Sequence, residues 1–581
     1  MIGKKKHGKL YPSVHATLGS FSVNHALLLS FCTFPTSSQE VQLDNEIQAE
    51  KYDDTRLNNA NFMEVLNAEY ALALSTGPQL KATDWRSIQL FLILLVAFMG
   101  SLTNGFDGSV MSAINGMSQY LQYFGIDGQD AGGGVGTTTA IIFGIYAIGS
   151  IAAAFIAGPI TDTFGRKGGM SIGGFIVVIG AIVVTAARDV KYLLGGRFVL
   201  GFGVSITATA SPAYVVEMSP PQWRGRLTGL FNSFYYAGSI LCTGITVATT
   251  RSSSTLSWRL PLAMQVVPAS ILAIGAFFLP ESPRYLISRG KKEEAMRVLA
   301  KYHGNGDENA PLVKLEWKEY EEAVKLDASD KRWYDYSELV NTPSARYRMG
   351  VVIMMAFFGQ WSGNGLGYFL TILFKNAGVT SQNKAITLNF VNTIISAVGA
   401  LIGTSLTDKI GRRFIWFWGT FACAATLGIV TGLTAKWGSD GANPTGANAA
   451  IAFIFLFGFV FSLAYTPLQA VIPTEALEYN TRAKGMAVYS LAVNCASFVN
   501  TYAGPIGLGR IQWKFYLVYV VWDLIECVVI YLFAVETKGR TLEELDEIFK
   551  DPNPVKASKR KIKVAIVAKG NEKRVEIIDE V

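Results

Sequence analysis

Charged residues are what this sequence has least of. They fill 16% of its 581 positions, while half of the positions are hydrophobic and the mean hydropathy is +0.29. A soluble chain carries about a quarter charged residues, which argues against a string of water-soluble domains. Cysteine is sparse as well. Cys32, Cys242, Cys423, Cys495 and Cys527 form no CxxC, and four of them sit in apolar runs. Buried free thiols therefore fit better than a disulfide frame or a zinc site. There is no phosphate-binding glycine loop followed by Lys and Ser/Thr, no zinc constellation and no nucleophile elbow. GGGVG at 132–136 is only a glycine cluster at a helix entry. Neither an enzyme nor a cofactor or metal is indicated. The net charge of +7 resides in loops and tails and speaks to membrane orientation rather than to nucleic acid.

What is present is a series of apolar runs. A spanning helix needs about 20 such residues. Runs lie near 87–117, 135–160, 169–187, 191–216, 227–250 and 259–280, then near 347–376, 385–407, 413–435, 449–474, 484–506 and 513–535. The expected fold is an all-α membrane protein of twelve transmembrane helices in two six-helix bundles, 86–280 and 346–536. A charged interval, 281–345, separates them as a cytosolic helical linker. KKEEAMRVLAKYHG places Ala295, Val298 and Leu299 on one face with Gly304 as a stop, and LEWKEYEEAVK reads the same way; a solvated linker is the alternative. Residues 1–85 open with MIGKKKHGK and HALLLSFCTF, a faint echo of a signal peptide without a clear cleavage site. A polar, mostly disordered cytosolic tail is preferred there. The tail 537–581 contains the basic VKASKRKIKVAIVAKG, suited to anionic lipid or to solvent.

Basic residues set the orientation. Arg166 and Lys167, Arg224 and Arg226, Lys409 with Arg412 and Arg413, and Arg482 with Lys484 follow even-numbered runs, whereas QYLQYFGIDGQDAGGG has no basic residue. Both tails and the linker are thus expected in the cytosol, with the protein crossing the plasma membrane many times. GPITDTFGRKGG (158–169) and GTSLTDKIGRRF (403–414) stand at equivalent places in the two halves, the mark of a duplicated transporter.

These residues, together with GRFVLGFG (196–203), EMSPPQWRGR (217–226), PESPRYL (280–286), PTEALEYNTRAKG (473–485) and ETKGRTLEELDEIF (536–549), resemble the sugar porter branch of the major facilitator superfamily across most of 85–550. The last motif normally opens with Pro, where this chain has Val535. The repeated charges (Asp162, Arg166, Glu217, Arg224 and Arg226 in one half, Asp408, Arg412, Glu475 and Arg482 in the other) read as a cytosolic gate of ion pairs; fixing topology and helix ends is the alternative. Exposed pairs are worth only about 0–1 kcal/mol each, but a network could bias two states a few kcal/mol apart.

Asp107, in LTNGFDGSV, closes the first apolar run. An ionised carboxylate at membrane depth costs about 2.5–3.5 kcal/mol, so it needs a partner, and Arg197 is the best placed. Proton-coupled sugar porters have an acid at the position that Asp107 matches. The resemblance therefore implies a proton carrier; a structural partner beside Gly105 and Gly108 is the alternative. FGQWSGNGLGYF (358–369) supplies Gln360, Trp361, Asn364 and Tyr368, amides and aromatics suited to sugar hydroxyls and ring faces. A single Gln with an early Asn looks like fungal lactose permeases and cellodextrin transporters. Asn232 falls where porters place a binding Gln, Gln469 neighbours Ala470 in AYTPLQAVIPTE, and Asn494 is a further candidate. Ala470 stands where many hexose porters carry a large aromatic, which points to a disaccharide. For each amide, a helix–helix hydrogen bond is the alternative. Tyr235, Tyr236, Trp416 and Trp418 suit stacking or, more particularly for the two tryptophans, anchoring at a lipid interface. The function implied is a sugar:proton symporter importing lactose or cellobiose by alternating access, with a facilitative uniporter or a transporter-like sugar sensor as alternatives.

Overall fold

The computed structural model describes residues 80–127, 134–329, 336–437, 444–478, 481–538, 542–559, 562–569 and 572–580. The expectation for residues 1–79 lies outside them, as does that for the side chain of Asp408. The first bundle runs through α1 (Trp85–Ile114), α2 (Ser118–Tyr123), α3 (Thr137–Thr185), α4 (Val190–Met218), α5 (Pro221–Thr249), α6 (Leu256–Met264) and α7 (Val266–Phe278). The linker holds α8 (Pro283–Ser288), α9 (Lys292–His303) and α10 (Pro311–Ser329). The second bundle comprises α11 (Pro343–Trp361), α12 (Asn364–Gly367), α13 (Leu370–Asn376), α14 (Gln382–Ile410), α15 (Arg412–Trp437), α16 (Pro444–Ala476), α17 (Arg482–Ile511) and α18 (Phe515–Phe533). The tail adds α19 (Leu542–Lys550), α20 (Pro554–Ala557) and an antiparallel pair, β1 (Ile562–Lys569) with β2 (Glu572–Glu580). Val564 and Ile566 in β1 and Val575 and Ile577 in β2 recur at every second position, the period of a strand.

Local signals explain the helix starts. Asp189 accepts from the Tyr192 amide at 3.0 Å and Thr342 from the Ala345 amide at 3.0 Å, while Pro221 and Pro343 open their first turns. Among the described residues, eight helical runs are long and apolar enough to cross a membrane. One of them, α3, is 49 residues joined across a kink at Gly165, and another, Lys484–Phe533, joins α17 to α18 through a three-ten turn at Gln512–Lys514. The more polar α5 has 29 residues, and α11 to α13 form an interrupted run.

The two bundles share an apolar core at one end. Phe106, Val110, Phe143 and Trp258 of the first join Leu366, Phe369, Phe374 and Phe457 of the second, and the rings of Phe143 and Phe369 lie 4.8 Å apart. At this far side Gln382 also accepts from the Ser118 amide at 2.9 Å and donates to Gln119 and to Thr250 at 3.0 and 3.1 Å. The Gly136 amide donates to the Pro505 carbonyl at 3.1 Å. At the opposite end, where the repeated charged loops lie, each bundle has its own core. Leu90, Met170, Tyr214 and Leu272 center one, and Met355, Trp416, Tyr465 and Ile530 the other. Trp416 is 1% exposed and packs inside the second core, so it does not anchor at an interface; Trp418, 51% exposed, keeps that option. Cys242, Cys423, Cys495 and Cys527 are free thiols.

Candidate functional site

At the charged end, the duplication in the sequence becomes a duplication in space. Gly165 has φ +85° and Gly411 φ +112°, backbone that disfavours any side chain. Each turns the chain so that the next amides point at a carboxylate, buried for Glu281 and half-buried for Glu536. Glu281 Oε1 accepts from the amides of Arg166 (3.1 Å), Lys167 (3.4 Å) and Ser282 (3.1 Å). Glu536 accepts from the amides of Arg412 (2.9 Å) and Arg413 (3.1 Å). The adjacent arginines then reach a second acid. Arg166 Nη2 donates to Glu217 Oε1 at 2.9 Å, and Arg412 Nη2 donates to Glu475 Oε1 at 3.0 Å. Thr537 Oγ1 also donates to Glu475, at 2.5 Å. None of these pairings joins the first bundle to the second. Burial pushes the Glu281 carboxyl above its ordinary range, against the lowering pull of the Ser282 and Lys167 amides and the Lys167 charge.

The other predicted gate residues separate. Asp162 pairs with Arg166 at 3.3 Å but is largely exposed. Arg224 joins the linker instead, donating to Glu316 at 3.2 Å. Glu316 also meets His303 Nδ1 at 2.5 Å, and His303 Nε2 lies 3.1 Å from the Met218 carbonyl. This ties α9 and α10 to the end of α4. Arg226 is exposed, and Arg482 donates to the Leu477 carbonyl at 3.4 Å. Glu281 and Glu536 stand inside PESPRYL and ETKGR, but nothing in those motifs alone assigns them this role. Local spacing shows the acid but not the amides folded onto it.

Asp107 and Arg197 do meet. Arg197 Nη1 stands 3.4 Å from Asp107 Oδ1, and both side chains are no more than 5% exposed. The guanidinium also lies over the Tyr146 ring, 4.6 Å from its centre. Helix α5 packs directly on the backbone of α1 here, since Ser239 Oγ donates to the Gly105 carbonyl at 3.0 Å. Asp107 Oδ2 and Arg197 Nε have no hydrogen-bond partner. The pair is therefore half satisfied: one carboxylate oxygen is buried without a hydrogen-bond partner.

The amides gather around the break in α11. The helix stops at Ser362, Gly363 adopts φ +88°, and α12 starts at Asn364. Asn364 Nδ2 donates to Gln360 Oε1 at 3.1 Å, so two predicted residues form one amide pair. Gln469 Nε2 lies 3.3 Å from the Gly359 carbonyl, which brings it beside Gln360. Tyr368 follows α12 within electrostatic reach of Asp107 and Arg197. Asn232 is exposed on α5, one turn from Tyr236, whose hydroxyl is 2.8 Å from Thr466 Oγ1 of the other bundle. Asn494 is half-buried on α17. Trp361 differs. Its indole donates to the Ala496 carbonyl at 3.0 Å and its ring packs on Phe357 and Trp522, so it serves packing in this conformation. Asn500 was missed: its amide donates to the Gln360 carbonyl and accepts from Tyr519 at 2.9 Å.

Residues 93–549 match the family model described as "Sugar (and other) transporter". The chain belongs to that family. Its relatives include a high-affinity glucose transporter of Kluyveromyces lactis, 30% identical over 80% of this chain and 86% of that protein. A probable quinate permease of Aspergillus fumigatus is 28% identical over 80% of this chain and 88% of the permease. The fold matches the major facilitator superfamily proton:xylose symporter XylE, solved with 6-bromo-6-deoxy-D-glucose. The TM-score is 0.64 at 21% identity, over 80% of this chain and all of that one. The chain is thus a multi-pass membrane transporter of the major facilitator superfamily, and its relatives are permeases rather than enzymes.

Proposed function

We propose that this chain is a twelve-helix sugar:proton symporter of the plasma membrane, importing a disaccharide such as lactose or cellobiose by alternating access. The charged loops, the linker and both tails face the cytosol. One observation carries the reading: a carboxylate on α1, buried and paired with Arg197, keeps one oxygen without a hydrogen-bond partner. An intramembrane acid of this kind suits a relay, gaining a proton when the guanidinium withdraws and losing it when the two approach. The Gln360–Asn364 pair with Gln469, between the broken α11 and α16, offers the bidentate amides that sugar hydroxyls require. The two-ring preference draws its support from Ala470, whose small side chain leaves room beside Gln469. The conformation is read as closed on the outer side, where both bundles share a core.

The test is uptake of labelled lactose, cellobiose and glucose by a host lacking other carriers, recorded together with external pH. Uptake with alkalinisation of the medium supports symport. Uptake at constant pH makes the chain a uniporter, and sugar binding without uptake makes it a sensor. Glucose displacing both disaccharides as substrate removes the two-ring preference.

A further inference from the structure

A second pair of acids lies in an apolar helix, behind the broken α11. Asp523 and Glu526, in WDLIEC of α18, are three residues apart and share a helix face. Both are 0% exposed. Both oxygens of Asp523 and Oε1 of Glu526 lack any hydrogen-bond partner. The titratable groups that face them are Cys423 of α15, Tyr465 of α16, and Tyr519 and Cys527 of their own helix. Ser362 faces them from α11. Among the described residues no Lys, Arg or His pairs with either acid. Two bare carboxylates buried within one helical turn are strongly unfavourable unless they hold a proton.

A count of hydrogens points the same way. Glu526 Oε2 contacts Ser362 Oγ and lies 3.0 Å from the Tyr465 hydroxyl. That hydroxyl is also 2.6 Å from Ser362 Oγ and 2.7 Å from Thr420 Oγ1. Thr420 in turn lies 2.8 Å from the Trp416 carbonyl. These five oxygen–oxygen contacts share only three hydroxyl hydrogens, one each from Ser362, Tyr465 and Thr420. A carboxyl hydrogen on Glu526 supplies a fourth.

We propose that Asp523 and Glu526 form a second proton-binding site, and that the break in α11 reads its occupancy through Ser362. Ser362 ends the helix that carries Gln360 and Trp361, two residues before Asn364. With the Glu526 proton one of the five contacts goes without a hydrogen, and its loss leaves two facing lone pair to lone pair. Ser362 or Tyr465 must then move, and the amide pair moves with the break. The proposal rests on the transport reading but not on Asp107 as the carrier.

Infrared spectroscopy of the purified full-length chain tests it, with Asp107→Asn as the background so that Asp107 contributes no carboxylic acid. At neutral pH this protein should show a protonated-carboxyl stretch that E526Q or D523N diminishes. Ser362→Ala, which leaves both acids in place, should shift that band by removing a hydrogen-bond partner. Absence of the band in the Asp107→Asn protein, a band unchanged by both acid variants, or a band indifferent to Ser362→Ala overturns the proposal. Should Asp107→Asn keep uphill sugar uptake, the first carrier assignment fails while the infrared result still stands or falls by itself.

Discussion

Gly165→Ala probes the duplicated turn at its tightest point. An added Cβ would lie 2.2 Å from Glu281 Oε2, and φ +85° with ψ 171° falls in a region that non-glycine residues avoid. Backbone strain of that kind costs about 1–3 kcal/mol. Glu281 must also withdraw, releasing amide bonds to a carboxylate worth about 1.5–3 kcal/mol each. Losing even one gives a destabilisation of roughly 2.5–6 kcal/mol. At the equivalent Gly411, the added Cβ would sit 2.8 Å from Glu536 Oε2, a smaller intrusion. Gly411→Ala should therefore pay mainly the backbone term, about 1–3 kcal/mol. Gly158→Ala is the control, since nothing lies within 4 Å of its added Cβ. Thermal unfolding of the detergent-solubilised chain should rank the variants Gly158→Ala, Gly411→Ala, Gly165→Ala from most to least stable. A Gly165→Ala protein that melts with the wild type, or a Gly158→Ala protein that falls as far, would refute the account of the turn.

Three other outcomes follow from the same geometry. Gln360→Ala removes the acceptor of the Asn364 amide and should raise the half-saturation concentration for sugar at least several-fold, as expected for losing one good hydrogen bond; an unchanged value moves the site elsewhere. Ala470→Trp should reduce disaccharide uptake more than hexose uptake, and equal losses contradict the argument from pocket room. Burial raises the Glu281 carboxyl above its ordinary value of 4.5, so the folded chain holds this proton where the unfolded chain has lost it. The stabilisation is full below 4.5 and fades as pH rises through the raised value. Glu281→Gln should flatten that part of the stability–pH curve, and an identical slope in the variant would contradict the assignment.

Much of the architecture was legible because membrane helices write themselves as apolar runs. The linker helices were equally open to reading: Ala295 and Leu299 are buried on one face of α9, and Gly304 follows its end. Asp107 and Arg197 could be paired from sequence because a charge in an apolar run demands an opposite one. WDLIEC also puts acids in an apolar run, but no cation pairs with Asp523 or Glu526 among the described residues, so that logic names no partner for them. Arg224 illustrates the other limit. Its motif points to the gate, but the acid that binds it, Glu316, lies 92 residues away on a linker helix whose docking no local pattern encodes. Asn500 was invisible for a similar reason. Its place against the Gln360 carbonyl depends on α11 breaking at Ser362 and Gly363, which only packing reveals.

The coupling role of Asp107 is tested most directly in proteoliposomes under an imposed inward pH gradient, with labelled lactose at equal concentration on both sides. The wild-type chain should accumulate sugar above the outside level, whereas Asp107→Asn should exchange sugar without accumulating it. Accumulation by the Asp107→Asn protein equal to that of the wild type would contradict the account.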